Sequence, residues 1–220
     1  MAKIILFGAY GQAADIALFY IENDTDHEIV AFTMDHDFID KTSWKNRPVI
    51  PFEKLENHFA PSEYKMFIPI LYKKVNKIRK ERYLSAKKKG YKFITYISPK
   101  ATYYNTPVGE NCFIMEDNTI QPHTRIGNNV IMWSGNHLGH HSIISDHCFI
   151  ASHVVISGSV TIGESTFIGV NATLRDNINI GNEVVIGMSS VILKDVPDRA
   201  VISPGPTPTL SITSDKIKEI

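Results

Sequence analysis

The chain has 220 residues with 23 basic and 23 acidic side chains, so its formal charge is zero and its pI lies near 7.1. That balance, with no long basic run, argues against nucleic acid as a partner. No stretch approaches the twenty apolar residues of a membrane span, and Lys3 interrupts the N-terminus before an apolar leader can form, so a soluble cytoplasmic protein is expected.

From the start, Lys3 to Phe7 reads as a short apolar strand, followed by the turn Gly8-Ala9-Tyr10-Gly11-Gln12-Ala13. Asp15 to Ile21 then carries a helical pattern, with Ile16, Phe19 and Tyr20 at spacings of three and four. Strand, Gly-rich turn and helix make a nucleotide-binding opening, because a helix N-terminus presents free N–H groups to a phosphate or ribose. The spacing is not the full dinucleotide fingerprint, and a tight turn that merely needs glycine is an equal reading. Glu28 to Met34 is the second strand and ends in Asp35-His36-Asp37, where Asp35 could accept hydrogen bonds from a ribose or base. Lys65 to Leu71 is a further buried strand. The helix expected over 75–89 is basic on its exposed face, through Lys77, Arg79, Lys80, Arg82, Lys87, Lys88 and Lys89, and most of these charges read as solvated. Tyr91 to Ile97 is a last strand before Ser98-Pro99. Residues 1–98 therefore read as a small α/β domain, Rossmann-like, with βαβ units and a parallel sheet.

From Val108 to Ile192 an aliphatic residue returns at every sixth position, fifteen times out of fifteen. With about a quarter of residues aliphatic, chance gives this roughly once in 10⁹ draws. Four residues later sits a mostly small column running from Cys112 to Ser190, and Gly often follows the aliphatic residue. A period of six fits neither a helix nor a meander. It fits a parallel β-helix in which each hexapeptide is one short strand plus a corner, and Gly or Asn tolerates the corner's dihedrals. Three hexapeptides close a triangular coil, so residues eighteen apart stack about 4.8 Å apart. Cys112 and Cys148 then lie two coils apart, too far for a disulfide. The repeat domain is expected over 99–197, with an irregular tail over 198–220.

Six of the nine histidines lie in this repeat. His123, His141, His147 and His153 all occupy the third position after the aliphatic residue and are expected to point outward. A metal cluster is unexpected, because His141, His147 and His153 belong to three different sides of the prism. A general base among surface histidines is better supported, since imidazole titrates nearest neutrality.

Together the hexapeptides and the Gly8–Ala13 turn resemble the left-handed β-helix acyltransferases, in particular the sialic-acid O-acetyltransferase-like and nucleotide-amino-sugar N-acetyltransferase group. The resemblance covers nearly all of residues 1–206 and implies a left-handed parallel β-helix. It implies acetyl-CoA as co-substrate, no metal, a homotrimer, and an acceptor amine on a deoxy sugar carried by UDP, dTDP or GDP. The family's catalytic Glu-His-Asp or Glu-His-Glu element falls on Gly139-His140-His141, which makes His140 the base and puts His141 where a carboxylate usually stands. Asp146 is a substitute partner if a corner brings it close, and His141 is an alternative contact for substrate. Gly8, Tyr10, Gly11 and Asp35 match the family's nucleotide-binding turn and acid. Gly158 is expected to offer a backbone N–H to the oxyanion. Gly169, Ala172 and Gly187 are expected to line the pantetheine arm, with Pro204-Gly205-Pro206 closing over coenzyme A.

The implied chemistry is direct transfer: the base removes a proton from the amine, which attacks the thioester carbonyl in a ternary complex. Acetylation of a hydroxyl, on a sugar or sialic acid, is the alternative enzyme reading. A β-helix used only as a scaffold is the third.

Overall fold

The computed structural model describes residues 1–209 and 211–216. Near the N-terminus lie β1 (Lys3–Phe7), α1 (Gln12–Asp24), β2 (Glu28–Met34), β3 (Ser43–Trp44), β4 (Arg47–Pro51), β5 (Lys65–Phe67), α2 (Lys77–Lys88) and β6 (Lys92–Phe93). They build one sheet in the order β3-β4-β2-β1-β5-β6, parallel except for the β3–β4 hairpin. Successive side chains of a strand face opposite sides. Ile4 and Leu6 of β1 accordingly pack with Ala14, Ala17 and Ile21 of α1, while Ile5 and Phe7 join Tyr83 and Ala86 of α2 on the other side.

The element boundaries shift from the sequence expectation, and the structure adds a hairpin and 3-10 turns at His36–Phe38 and Phe52–Asn57. Helix α1 begins three residues before Asp15, and β5 stops at Phe67. The run Tyr91 to Ile97 is divided: β6 pairs with β5, whereas β7 (Tyr96–Ile97) pairs with Phe113–Ile114 in the repeat. The turn between β3 and β4 holds Lys45 and Asn46 at φ 49° and 61°, the geometry of a tight two-residue hairpin.

The repeat folds as a left-handed parallel β-helix with three flat sheets. Face one carries strands at residues 96, 113, 131, 149, 167, 185 and 201. Face two carries those at 102, 119, 137, 155, 173 and 191, and face three those at 125, 143, 161 and 179. Corner one precedes face one (residues 109–112 and their repeats), corner two follows it (115–118), and corner three lies opposite (121–124). Every aliphatic residue from Ile114 to Ile192 fills the interior, and so does the small column from Cys112 to Ser190. Both cysteines are free and buried, and burial pushes each thiol up to about 12. The last rung is Val201–Ile202, beyond residue 197, and a short 3-10 turn at Ser214–Lys216 follows. Residues 210 and 217–220 of the expected tail lie outside the described residues.

The corner chemistry corrects one expectation. Positive φ belongs to position three of the hexapeptide, at Asn111, Asp117, His123, Asn129, His141, His147, His153 and onward, and not to the glycines of position one. Those glycines are required by close approach instead. A Cβ on Gly163 would sit 2.5 Å from the Gly181 carbonyl of the next coil, and one on Gly139 2.5 Å from Ser157. His, Asn and Ser thus recur at position three because it is the left-handed corner residue, where Asn, Asp and His are the best tolerated side-chain-bearing types.

The N-terminal domain sits on face one, flanked by corners one and two. Phe113, Ile131 and Phe149 of that face pack with Leu18, Ile29 and Phe67 in a shared core. Helix α2 docks on corner one, which overturns the surface reading for Arg79, while Lys77, Lys87 and Lys88 stay exposed. Arg79 is fully buried, and its guanidinium donates to the carbonyls of Ile70, Leu71, Asn129, His147 and Cys148 at 2.7–3.2 Å. Burial brings its pKa down to about 9. Lys77 pairs with Glu183, Lys80 with Glu164, Arg82 with Asp35 and Lys87 with Glu110. Among the described residues no helix is long and apolar enough to cross a membrane.

Candidate active site

The Gly-rich turn joins the C-terminal end of β1 to α1. Gly8 has φ 115° and donates its N–H to the Thr33 carbonyl at 2.7 Å, so the chain path itself requires glycine there. Gly11 differs. Its φ is −117°, and a Cβ would meet only the Ala9 carbonyl oxygen, at 3.8 Å. The fold does not need a glycine at this position; its bare surface leaves room over the N-terminus of α1, where no side chain caps the helix. Tyr10 hydrogen-bonds the main chain of Lys41 through its hydroxyl and packs edge-on against Trp44, with ring centroids 6.2 Å apart.

A small cavity is lined here by Tyr10, Gly11, Gln12, Asp15, Trp44 and Lys45. Trp44 and Lys45 come from the β3–β4 hairpin and were missed in the sequence; the Lys45-Asn46 turn was the available signal. Asp35 lies at the end of β2 but does not line the cavity. Arg82 holds its carboxylate through Nε and Nη2 at 3.1 and 2.6 Å, so the acid faces α2. A larger cleft of about 550 Å³ lies between α1 and corner two, lined by residues that include Asp15, Phe19, Tyr20, Glu116, Trp133 and Ser134.

His140 is exposed at corner three. Its main-chain N–H donates to Gln121 Oε1 at 2.8 Å, and its Nδ1 lies 3.1 Å from Nδ1 of His141. The ring rests on Gly158 of the next coil: a Cβ there would stand 2.6 Å from Cε1 and 2.8 Å from Nε2. The N–H of Gly158 has no hydrogen-bond partner among the described residues. His141 stacks in the other direction on His123, with ring centroids 4.8 Å apart.

Asp146 does not orient His140. It sits at corner one, where Oδ1 accepts from the Asn128 main-chain N–H at 2.7 Å and Oδ2 from the Asn128 amide at 3.1 Å. Asn182 and Asp198 continue this capping ladder at the same corner. Six residues move a side chain to the next corner, which is why the spacing misled. His147 is a second correction, because it does not point to solvent. It is buried at corner one beside Tyr83, with Nδ1 2.8 Å from Asn129 Nδ2. Burial lowers its pKa to about 4. Among the described residues no three His, Cys, Asp or Glu side chains converge to hold a metal ion.

Gly169, Ala172 and Gly187 lie at corner two. Ala172 is buried, and both its N–H and its carbonyl are engaged within the coil stack, so its backbone is closed to a ligand. The N–H groups of Gly169 and Gly187 are likewise used, to Ile186 and Ile202. Pro204 packs over Gly187, whereas Gly205 is exposed and a Cβ on it would touch nothing. One chain therefore brings the Gly turn near corner two, with Gly169 and Gly187, and leaves His140 and Gly158 on the opposite edge.

Residues 159–194 match the family model described as bacterial transferase hexapeptide (six repeats). No curated protein sequence matches the chain significantly. Among solved structures, the acetyltransferase domain of PglB from Neisseria gonorrhoeae FA1090 is similar at 23% identity and TM-score 0.79, over 96% of this chain and 100% of that one. A perosamine N-acetyltransferase variant from Caulobacter crescentus, in complex with CoA and GDP-perosamine, is similar at 20% identity and TM-score 0.81, covering 91% of this chain and 93% of that one. WeeI from Acinetobacter baumannii AYE follows at 19% identity and TM-score 0.71, over 91% and 96%. These likenesses establish the fold. An α/β domain followed by a left-handed β-helix is common to all of them.

Proposed function

We propose that the protein is an acetyl-CoA-dependent N-acetyltransferase acting on the 3- or 4-amino group of a nucleotide-linked deoxy sugar, in the cytoplasm, for surface glycan synthesis. The observation that carries the reading is the glycine pair at the two ends of the site. Gly11, which the local fold does not need, keeps the helix N-terminus of α1 open; Gly158 leaves His140 its seat and keeps an unpaired N–H beside it. The similar structures of PglB and of perosamine N-acetyltransferase hold acetyl-CoA, or CoA with GDP-perosamine, which supports the same substrate classes here.

In this reading the diphosphate of a UDP-, dTDP- or GDP-sugar lies at Gly8–Gly11, with Trp44 and Lys45 closing the cavity. His140 takes the proton from the amine as its nitrogen attacks the thioester carbonyl, and Gly158 donates its N–H to the oxyanion. Coenzyme A runs along the surface of Gly169 and Gly187 under Pro204 and Gly205.

Because the two halves of the site lie on opposite edges of one prism, catalysis needs corner three of one chain to meet the N-terminal domain of another. A closed ring of three prisms provides this, consistent with cyclic symmetry. Coexpression tests it. His140→Ala and Gly11→Trp are each expected to be inactive alone, and randomly mixed oligomers should regain about a quarter of wild-type turnover, since one site in four combines the intact halves. No recovery on mixing means that each chain acts alone. A thiol-release assay with UDP-, dTDP- and GDP-linked amino sugars, and sialic acid alongside, tests the reaction. CoA release with sialic acid alone would instead make the protein an O-acetyltransferase.

A further inference from the structure

We propose that His141 is a positioning residue for His140: it accepts the Nδ1–H of His140 on its own Nδ1 and so keeps the Nε2 lone pair of His140 free for the incoming proton. The proposal rests on the acyl-transfer reading above.

The two Nδ1 atoms are 3.1 Å apart, with the rings at 83° to one another. One hydrogen fits between them, so one ring donates and the other accepts. The surroundings of the two rings decide which. His140 leans toward the following coil, where its Cε1–Nε2 edge lies over Gly158, whose N–H has no partner among the described residues. His141 leans toward the preceding coil and stacks on His123. In the acyl-transfer reading Gly158 serves the oxyanion, so His140, whose ring rests on it, is the ring whose Nε2 is left unprotonated.

The replacement of a carboxylate by imidazole is geometrically sound. The contacting atom is Nδ1, two bonds from Cβ, and an aspartate Oδ has the same reach. His141 has φ 61°, the left-handed corner conformation that Asp117, Asn129 and Asn171 also adopt in this repeat. Each of those side chains likewise carries a polar atom at the δ position.

Proton and electron pairs balance through the pair. The amine nitrogen bonds to the acetyl carbon, the carbon–sulfur bond breaks, and the amine proton moves to His140 Nε2 and then to the departing CoA sulfur. Throughout, the Nδ1–H of His140 stays on its bond to His141, which steadies the transient imidazolium with a neutral acceptor.

The test is the tautomer of His140, read by two-bond ¹H–¹⁵N correlation spectra of ¹⁵N-histidine-labelled protein at a pH where both rings are neutral. We expect His140 protonated on Nδ1 in the wild type. In His141→Gly, which suits the positive φ, it should revert to the Nε2–H form usual for a free imidazole. His141→Asp, an obligate acceptor, should restore the Nδ1–H form. In parallel, kcat should fall at least about 10-fold in His141→Gly, with the acetyl-CoA KM changed less than about twofold, and recover in His141→Asp, as expected when only the tautomer of a base is lost. An Nε2–H tautomer in the wild type, or one unchanged in His141→Gly, would overturn the proposal. The expected tautomers in a protein that releases no CoA with any acceptor would leave the positioning intact and sink the acyl-transfer reading instead.

Discussion

His141 and His147 occupy the same place in successive hexapeptides, with the same left-handed backbone, φ 61° and 64°, yet their environments are opposite. His147 is at corner one, under α2, where its carbonyl accepts from Arg79 and its ring is closed in by Tyr83 and Asn129. His141 is at corner three, the edge farthest from the N-terminal domain, where its ring is exposed and reaches its neighbour His140. Position three selects histidine for its backbone tolerance. What the imidazole then does depends on which edge of the prism it reaches. Corner one is a domain interface, and corner three leaves His140 and His141 exposed.

Four experiments can break or sharpen that contrast. The largest effect is expected on turnover: His140→Ala should lower kcat on the order of 10²–10⁴-fold with the fold intact, as for loss of a general base, whereas His147→Asn should leave it within a few-fold. Equal losses would erase the distinction between the two edges. Next is Arg79→Leu, which takes the donor from the buried carbonyls of Asn129 and His147 and from the half-buried ones of Ile70 and Leu71, while Cys148 keeps the Ile131 N–H. We expect a loss of about 3–5 kcal/mol in urea unfolding, and little rescue by Lys, whose ammonium lacks the planar fork. A change below about 1 kcal/mol would mean that water or the chain re-satisfies these groups.

A smaller effect is expected from Gly163→Ala. The added Cβ meets backbone of the next coil at 2.5 Å, so the coils must separate locally, and we expect about 1–3 kcal/mol of destabilisation by the same unfolding assay. Gly11→Ala should leave stability within about 0.5 kcal/mol, because its Cβ comes no closer than 3.8 Å to the Ala9 carbonyl oxygen. A pH slope is expected as well. Burial holds the native His147 pKa at about 4, below the unfolded value of 6.5. The unfolded chain therefore binds more protons between those values, and stability is lost as pH falls from about 6.5 toward 4. Melting temperatures measured across that window should fall more steeply in the wild type than in His147→Asn, and parallel curves would show that His147 is not the group responsible.

Most of the fold was legible because the repeat is one-dimensional. Each strand of the repeat pairs with the strands eighteen residues before and after it, so a strict period suffices to assign interior, strand and corner. The β1–α1–β2 opening was legible for a related reason, since strand, turn and helix are consecutive in the chain. What escaped was nonlocal. Arg79 looked like one more surface cation on a basic helix, and Asp35 like a free acid, because Asn129, which Arg79 binds, and Arg82, which binds Asp35, lie 50 and 47 residues away. Asp146 looked like a neighbour of His140, because distance along the chain is not distance across a prism. Ala172 looked like a ligand contact until its buried backbone bonds were seen.

The sequence by itself determined the β-helix, its register and the buried columns, because period and residue size settle these coil by coil. The tertiary structure alone decided which edge the N-terminal domain covers. That docking uses the buried guanidinium of Arg79, the aromatic rings of face one and the Lys77–Glu183 and Lys80–Glu164 ion pairs, none of which has a local signature. Once one edge is covered, the free edge is fixed by geometry, and with it the place where His140 and His141 meet solvent.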